Sequence, residues 1–275
     1  MSIVFVHPEQ DLNGNGRENI YLALQDGQYL GHAFAWPFEN RHVTYERPWN
    51  VYFQVNPEPQ QDGQLLAQVR DGLYTHAFAR AMELRALQPQ LRARVYSSAQ
   101  TEEQLAYLVG RGLRDDDATV AMEASLHPAA EPPPLPVGAR LEICDAATPE
   151  VLQAYLQGHN TFFVAQLDEE EFARHRQMPH FALYRLIQGN DTLAWAQVYQ
   201  RDDAAHVETM FVSDAARGRG LGRLMLSQLL AVFARWGCAR TTLEVWQRNR
   251  RAVALYESFG YQKVRNVFWF PGIDL

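Results

Sequence analysis

Apolar and polar positions in the second half of the chain alternate with clear changes of period, and each change predicts an element. Residues 140–144 read as a strand, and 149–160 and 168–177 as two short helices. Residues 181–188 and 192–199 form a hairpin across the turn-forming Gly189, Asn190 and Asp191. Residues 206–212 make another strand. Leu221, Met225, Leu229, Val232 and Trp236 then recur at helical spacing, with Gly237 as the stop. A strand at 241–246, a helix at 250–259 ended by Gly260 and a strand at 264–270 complete the pattern. Strands and helices interleaved in this way predict an α/β (α+β) plan, a mixed, mostly antiparallel sheet flanked by helices.

The first half repeats the order in shortened form. A hairpin joins 19–24 to 29–36 across Gln25, Asp26, Gly27 and Gln28. It is followed by a strand at 51–55, a helix at 65–84, a strand at 91–97, a helix at 102–109 and a strand at 118–124. The two helices that follow the first strand of the other half have no counterpart. Between the halves, residues 127–138 contain five prolines, which cannot join a helix or a central strand. The expected organisation is therefore a tandem duplication: residues 1–126, a Pro-rich linker at 127–138, and residues 139–275.

Composition narrows the partners. The chain has 275 residues, 47% hydrophobic and 12% aromatic, enough to bury a full core. Its formal charge of −7 argues against a nucleic-acid-coating role, which needs surplus Lys and Arg. Cys144 and Cys238 are too few for a disulfide scaffold or a thiolate metal cage, so no metal is expected and a reducing compartment is. The first ten residues carry no basic segment and a four-residue apolar run at 3–6. No stretch reaches membrane-spanning length, and a cytoplasmic location away from membranes is the expectation. A homodimer stays open.

The most informative segment is 211–226. A strand runs into Arg217, Gly218, Arg219, Gly220, Leu221 and Gly222, which open an apolar helix. Glycines let an anion approach the backbone, and the free N–H groups of a helix start bind phosphate oxygens. Arg217, Arg219 and Arg223 add charge beside that cradle; a glycine-rich turn with solvated arginines is the plainer alternative. A Gly-Lys-Ser/Thr sequence is absent, which excludes a P-loop, and Arg223 stands where a dinucleotide fingerprint needs glycine.

A second constellation follows the strand 241–246: Asn249, Ala252, Leu255, Tyr256, Glu257, Gly260 and Tyr261. With Arg217, Gly220 and Gly222 before it, this resembles the two signature motifs of the GCN5-related N-acetyltransferase (GNAT) superfamily. The resemblance implies that residues 217–222 take the pyrophosphate of acetyl-CoA and that the strand at Phe211 and Val212 pairs with the pantetheine arm. It also implies that Asn249 contacts that arm and that Tyr256 protonates the departing thiolate. The rival reading of Tyr256 is a core aromatic on an amphipathic helix, a role that suits Leu255 beside it better. Strand alternation puts Val207, Thr209 and Phe211 on one face and Glu208, Met210 and Val212 on the other. Glu208 stands where the family often carries a catalytic carboxylate, an exposed strand acid being the rival reading; His206 and Glu244 are lesser base candidates. The acids 168–171 read as helix-start dipole partners before they read as a lure for a cationic amine. Trp195, Tyr199 and Phe163 could line an acceptor pocket or the core.

Aligned on this pattern, the first half places Gln60 over Arg217, Asp62 over Arg219, Gly63 over Gly220 and Leu65 over Gly222. Thr101 falls over Asn249, Leu108 over Tyr256 and Gly112 over Gly260. This copy lacks the acid, the arginines and the lid, so it is expected neither to bind CoA well nor to catalyse. The expected activity is acyl-CoA-dependent N-acetyltransfer from acetyl-CoA to a primary amine of a small molecule, by direct transfer in a ternary complex. A protein or peptide amine is one alternative; a CoA-binding sensor without turnover is another.

Overall fold

The computed structural model describes residues 2–40, 46–59, 62–126, 131–163 and 166–275. Gln60 and residues 127–130 of the expected linker lie outside the described residues. Two compact units emerge, Met1–Thr119 with Phe268–Leu275, and Val120–Val267.

In the first unit, β1 (Val4–Val6), β2 (Ile20–Gln25), β3 (Gln28–Glu39) and β4 (Trp49–Pro57) run antiparallel in sequence order. Helix α1 (Gly63–Ala86) crosses over to β5 (Ala93–Tyr96), which pairs parallel with β4 from Trp49↔Ala93 to Tyr52↔Tyr96. Helix α2 (Glu102–Gly110) follows. Alternation along β3 and β4 aims Ala33, Ala35, Val51 and Phe53 at one face. There Val69, Leu73, Ala77 and Ala81 of α1, spaced four apart, cover them in one core. The span between β1 and β2 holds only a 3-10 turn, Arg17–Asn19, in place of the two helices found in the other unit.

The next strand, β6 (Ala118–Ser125), belongs to the other sheet. The second unit's elements are β7 (Ala139–Cys144), α3 (Pro149–Phe162), α4 (Glu169–His175), β8 (Ala182–Gln188), β9 (Asp191–Arg201), β10 (Ala204–Val212), α5 (Leu221–Arg235), β11 (Arg240–Trp246), α6 (Arg250–Glu257) and β12 (Gln262–Trp269). Its seven strands order as β12-β6-β11-β10-β9-β8-β7. A last strand, β13 (Gly272–Asp274), pairs antiparallel with β5 at the end of the six-stranded sheet. Division at the Pro-rich stretch therefore differs from the sheets: 118–125 fills the place between β11 and β12, and 268–275 returns to the first unit. Each segment supplies hydrogen-bond partners to a strand edge that would otherwise stay open. Arg94 of β5, 1% exposed, holds the returning segment by donating to Asp274 (2.8 Å), Asp116 (2.6 Å) and the Phe270 carbonyl (2.8 Å). Burial alone would weaken that charge, but the hydrogen bonds to Asp116 and Asp274 more than offset it and raise its pKa.

Over the second sheet, Tyr155 and Leu156 of α3 and Phe172 of α4 pack with Leu183, Trp195 and Phe211. A Cβ on Gly158 of α3 would stand 3.2 Å from the Phe211 ring, so glycine there makes room for that ring. Among the described residues, no helix is long and apolar enough to cross a membrane.

A fragment of residues 139–275 lacks β6 and leaves two neighbouring edges of the second sheet unpaired. It is expected to aggregate on expression, whereas residues 118–275 should give a soluble, cooperatively melting protein. Equal solubility and melting of the two fragments by circular dichroism would show that β6 is dispensable.

Candidate active site

The site is organised by a fork in the second sheet. The parallel ladder between β10 and β11 runs from Ala204↔Arg240 to Val207↔Leu243 and stops there. β10 continues to Val212, paired only on its other side with β9. At the fork its register against β9 slips, because Val207 faces Val198 while Thr209 faces Gln197. Glu208 is thus the extra residue of a β-bulge. The expected alternation fails here. With one residue inserted, Glu208 and Thr209 both turn toward α3 and α4: Thr209 meets the Tyr155 hydroxyl at 2.6 Å, and Glu208 faces His175 at 4.0 Å.

Beyond β10, a 3-10 turn at Asp214–Ala216 leads to the glycine loop. Gly218 and Gly220 adopt φ of 79° and 74°, the left-handed region where a side chain is strained, and Gly220 is the N-cap of α5. No side chain caps this helix, so the N–H groups of Leu221, Gly222 and Arg223 keep their hydrogen-bonding capacity. Around them, Arg217 pairs with Asp214 at 2.7 Å, Arg219 donates to Gln188 at 3.0 Å and Arg223 donates to Ser258 at 2.7 Å. Pairs this exposed are weak and exchange readily for a phosphate. Leu221 is buried in the core, as is Phe211 against Tyr155, Phe162 and Phe163; Val212 is half-buried beside Gly222. Asn249 is the N-cap of α6 and accepts from the Ala252 N–H at 3.2 Å.

Tyr256 of α6 is 8% exposed and packs 5.8 Å from the Tyr261 ring. Burial pushes its hydroxyl up to about 12, so it keeps its proton through the neutral range.

A polar cluster lies on the α3 and α4 side of the fork. Glu208 Oε2 accepts a short hydrogen bond from Tyr199 and lies 3.5 Å from His206 Nε2 and 3.6 Å from Arg201 Nη2. Arg201 also reaches Glu244 at 3.3 Å, and His206 Nδ1 meets the Thr242 hydroxyl at 2.9 Å. Burial opposes the Glu208 charge, but hydrogen bonds from His206 and Tyr199 and the fields of His175 and His206 outweigh it, holding the carboxyl down at about 2. Tyr199 is correspondingly raised, by burial first and then by the Glu208 charge. His175, Gln197 and Tyr155 belong to this cluster, and none of the three stands in a sequence motif. Trp195 and Tyr199 are buried. The acids of α4 are engaged: Asp168 caps the helix at the Glu171 N–H, Glu170 pairs with Arg174, and Glu169 accepts from Gln153.

The corresponding helix start in the first unit is closed. Asp62, not Gly63, is the N-cap of α1, and its carboxylate accepts from the N–H groups of Gln64 (2.8 Å) and Leu65 (3.3 Å). Leu108 is buried in the core, and Thr101 caps α2 as Asn249 caps α6.

The acetyltransferase (GNAT) family model matches residues 148–261. Residues 148–261 of this chain are a GNAT-family domain. It is 24% identical over 151 residues to an uncharacterized N-acetyltransferase of Mycobacterium tuberculosis, covering 54% of this chain and 85% of that protein. Over 71 residues it is 48% identical to the N-alpha-acetyltransferase RimI of the same organism, covering 25% of this chain and 43% of the relative. A crystal structure of a GCN5-related N-acetyltransferase from Sphaerobacter thermophilus covers 95% of this chain and 82% of its own, with a TM-score of 0.52 and 17% identity, a likeness of fold. As a GNAT acetyltransferase, the protein uses an acyl-CoA donor and an amine acceptor. Among the described residues, no group of His, Cys, Asp and Glu side chains is arranged to hold a metal ion.

A carboxyl whose folded pKa lies below its ordinary 4.5 stabilises the fold above that value and loses its contribution as pH falls toward about 2. Glu208→Gln should therefore cost about 3 kcal/mol at pH 7, with the gap to wild type narrowing as pH drops below 5. Urea melts at several pH values measure this, and a gap independent of pH would show that the charge is not held by its neighbours.

Proposed function

We propose that the second unit transfers the acetyl group of acetyl-CoA to a primary amine of a small molecule, directly, within a ternary complex, and that the first unit is a degenerate GNAT-like copy without catalysis. The observation that carries this reading is the contrast between the two helix starts. At α5 the amides are uncapped and flanked by Arg217, Arg219 and Arg223, while at α1 a carboxylate occupies them. An anion is attracted to the first and repelled by the second. Arg217, Gly218, Arg219, Gly220 and Gly222 would cradle the pyrophosphate; Leu221 contributes its amide, its side chain being core.

The unpaired edge of β10 at Phe211 and Val212 gives the pantetheine arm a strand to pair with, and Asn249, at the head of α6, is the motif residue assigned to contact that arm. The amine nitrogen attacks the thioester carbonyl carbon, the C–N bond forms and the C–S bond breaks. Tyr256, neutral at pH 7, donates its proton to the sulfur. Cys144 and Cys238 lie outside these elements, which supports direct transfer over an acyl-cysteine intermediate. Glu208, held ionised, suits binding the acceptor as its ammonium better than taking a proton from it. Burial of the groups around Glu208 favours a small amine. The stretch of 48% identity to an N-alpha-acetyltransferase favours a second reading, a peptide α-amine.

Native mass spectrometry with acetyl-CoA should count one ligand per chain, lost in Gly220→Val. Two ligands would give the first unit a site, and none would remove the reading. Tyr256→Phe should lower kcat by about 10- to 100-fold with acetyl-CoA affinity unchanged. Unaltered kcat would take Tyr256 out of the reaction.

A further inference from the structure

Glu208 has two carboxylate oxygens with unequal surroundings. Oε2 is crowded by Tyr199, His206 and Arg201. Oε1 has no hydrogen-bond donor among the described residues, and His175 Nε2 stands 4.0 Å from it. That gap is too long for a hydrogen bond and the right width for one shared atom. A nitrogen about 2.8 Å from each closes a triangle with them. Both side chains keep some solvent exposure, His175 at 18% and Glu208 at 24%. The other histidine of the cluster has no such opening: His206 is 3% exposed, with one ring nitrogen on Thr242 and the other toward Glu208.

We propose that this gap is the acceptor-nitrogen subsite, with Glu208 Oε1 as the fixed anion and His175 Nε2 as the catalytic proton acceptor. The assignment rests on the acetyl-transfer reading above and supplies the base that Glu208 is unsuited to be. The ring is set by its other nitrogen. His175 Nδ1 lies 2.8 Å from the Gln197 side-chain amide, and its ring is tilted over Tyr199 at 5.6 Å. Gln197 in turn meets the fully buried Tyr155 hydroxyl at 2.9 Å, which meets Thr209 at 2.6 Å on the bulge. This chain is satisfied in either sense. With Gln197 Nε2 donating to Nδ1, the imidazole carries its proton on Nε2. With the amide turned over, Nδ1–H donates to Oε1 of Gln197, Nε2 of Gln197 donates to the Tyr155 oxygen, and Tyr155 donates to Thr209. In the second sense His175 Nε2 presents its lone pair to the gap.

The protons then balance. A bound ammonium gives one proton to His175 Nε2, which passes it to solvent. The neutral amine forms the C–N bond as the C–S bond breaks, the sulfur takes the Tyr256 proton, and the second nitrogen proton leaves by the same imidazole. Solvent restores Tyr256. The net change is one acetylamide, one CoA thiol and one released proton.

The test uses the full chain with acetyl-CoA and three probe amines, methylamine, 1,4-diaminobutane and trialanine, reading thiol release. On a probe that is turned over, His175→Gln should lower kcat about 100-fold while the KM for acetyl-CoA holds within roughly twofold. In His175→Ala, added imidazole should restore at least part of the lost kcat, a response that a packing role does not give. Retained kcat in His175→Gln, or an unrescued His175→Ala with a native circular dichroism spectrum, overturns the assignment. Should wild type turn over none of the probes, ¹⁵N spectra of labelled histidine with CoA and methylammonium decide. A change of the His175 Nε2 resonance on adding methylammonium supports the subsite, and an unmoved resonance overturns it. Failure of wild type to bind acetyl-CoA removes the acetyl-transfer reading and this one with it. Binding and turnover with a silent His175→Gln remove this one alone.

Discussion

A strand offers hydrogen bonds along two edges, and β10 uses one edge along its length but the other for only four residues. Everything placed at the site depends on that inequality. Because the ladder to β11 ends at Val207↔Leu243, the backbone from Glu208 to Val212 faces a gap within a sheet and keeps free polar groups in a protected place. The bulge at the same point twists β10 and sends two consecutive side chains to one side. Arg201 then bridges the tines of the fork, reaching Glu208 on β10 and Glu244 on β11. Two carboxylates brought this close repel, and the guanidinium between them offsets that repulsion while leaving Glu208 Oε1 open.

Fold alone does not make a CoA site, as the two helix starts show. Both units run a strand into a helix at the same place in the sheet, and both helices begin with unsatisfied amides. In α1 the shortage is met internally by Asp62, a stabilising cap that forecloses anion binding. In α5 glycine takes the cap position, offers no side chain, and leaves the shortage to be met from outside. A cap of this kind contributes about 1 kcal/mol, so α5 forgoes stability that a bound phosphate can return.

Most elements of both units follow from local pattern, since hairpins, glycine stops and four-residue apolar spacing are written in neighbouring residues. The misses share a cause: they depend on partners distant in sequence. Residues 118–124 read correctly as a strand, but nothing in them names β11 and β12 as their neighbours. β1 and β13, three residues each, are too short to show a period. The bulge defeats alternation because a sequence carries no mark of where a partner strand slips. Matching glycine to glycine sets Asp62 one position from its structural counterpart, because the cap of α1 is Asp62 and the cap of α5 is Gly220. His175 stayed hidden because its partners, Gln197 and Glu208, lie on strands 22 and 33 residues further on, and only the fold makes them neighbours.

The exchanged strand carries a consequence for the fork. β11 is one of its tines, and β6 is the neighbour that holds β11 on the side away from β10. Arg240, the first residue of β11 in register with β10, donates to Glu123 of β6 at 2.7 Å and also pairs with Asp203 beside the start of β10. One guanidinium thus ties β6 to the root of the fork. β12, outside β6, ends the sheet with exposed Gln262, Lys263 and Arg265, polar side chains that discourage further pairing. The angle at which β10 and β11 part is therefore set partly by residues that precede the Pro-rich stretch. A GNAT sheet that borrows a strand from upstream cannot vary that strand freely, because a shift in β6 is a shift in the wall of the site.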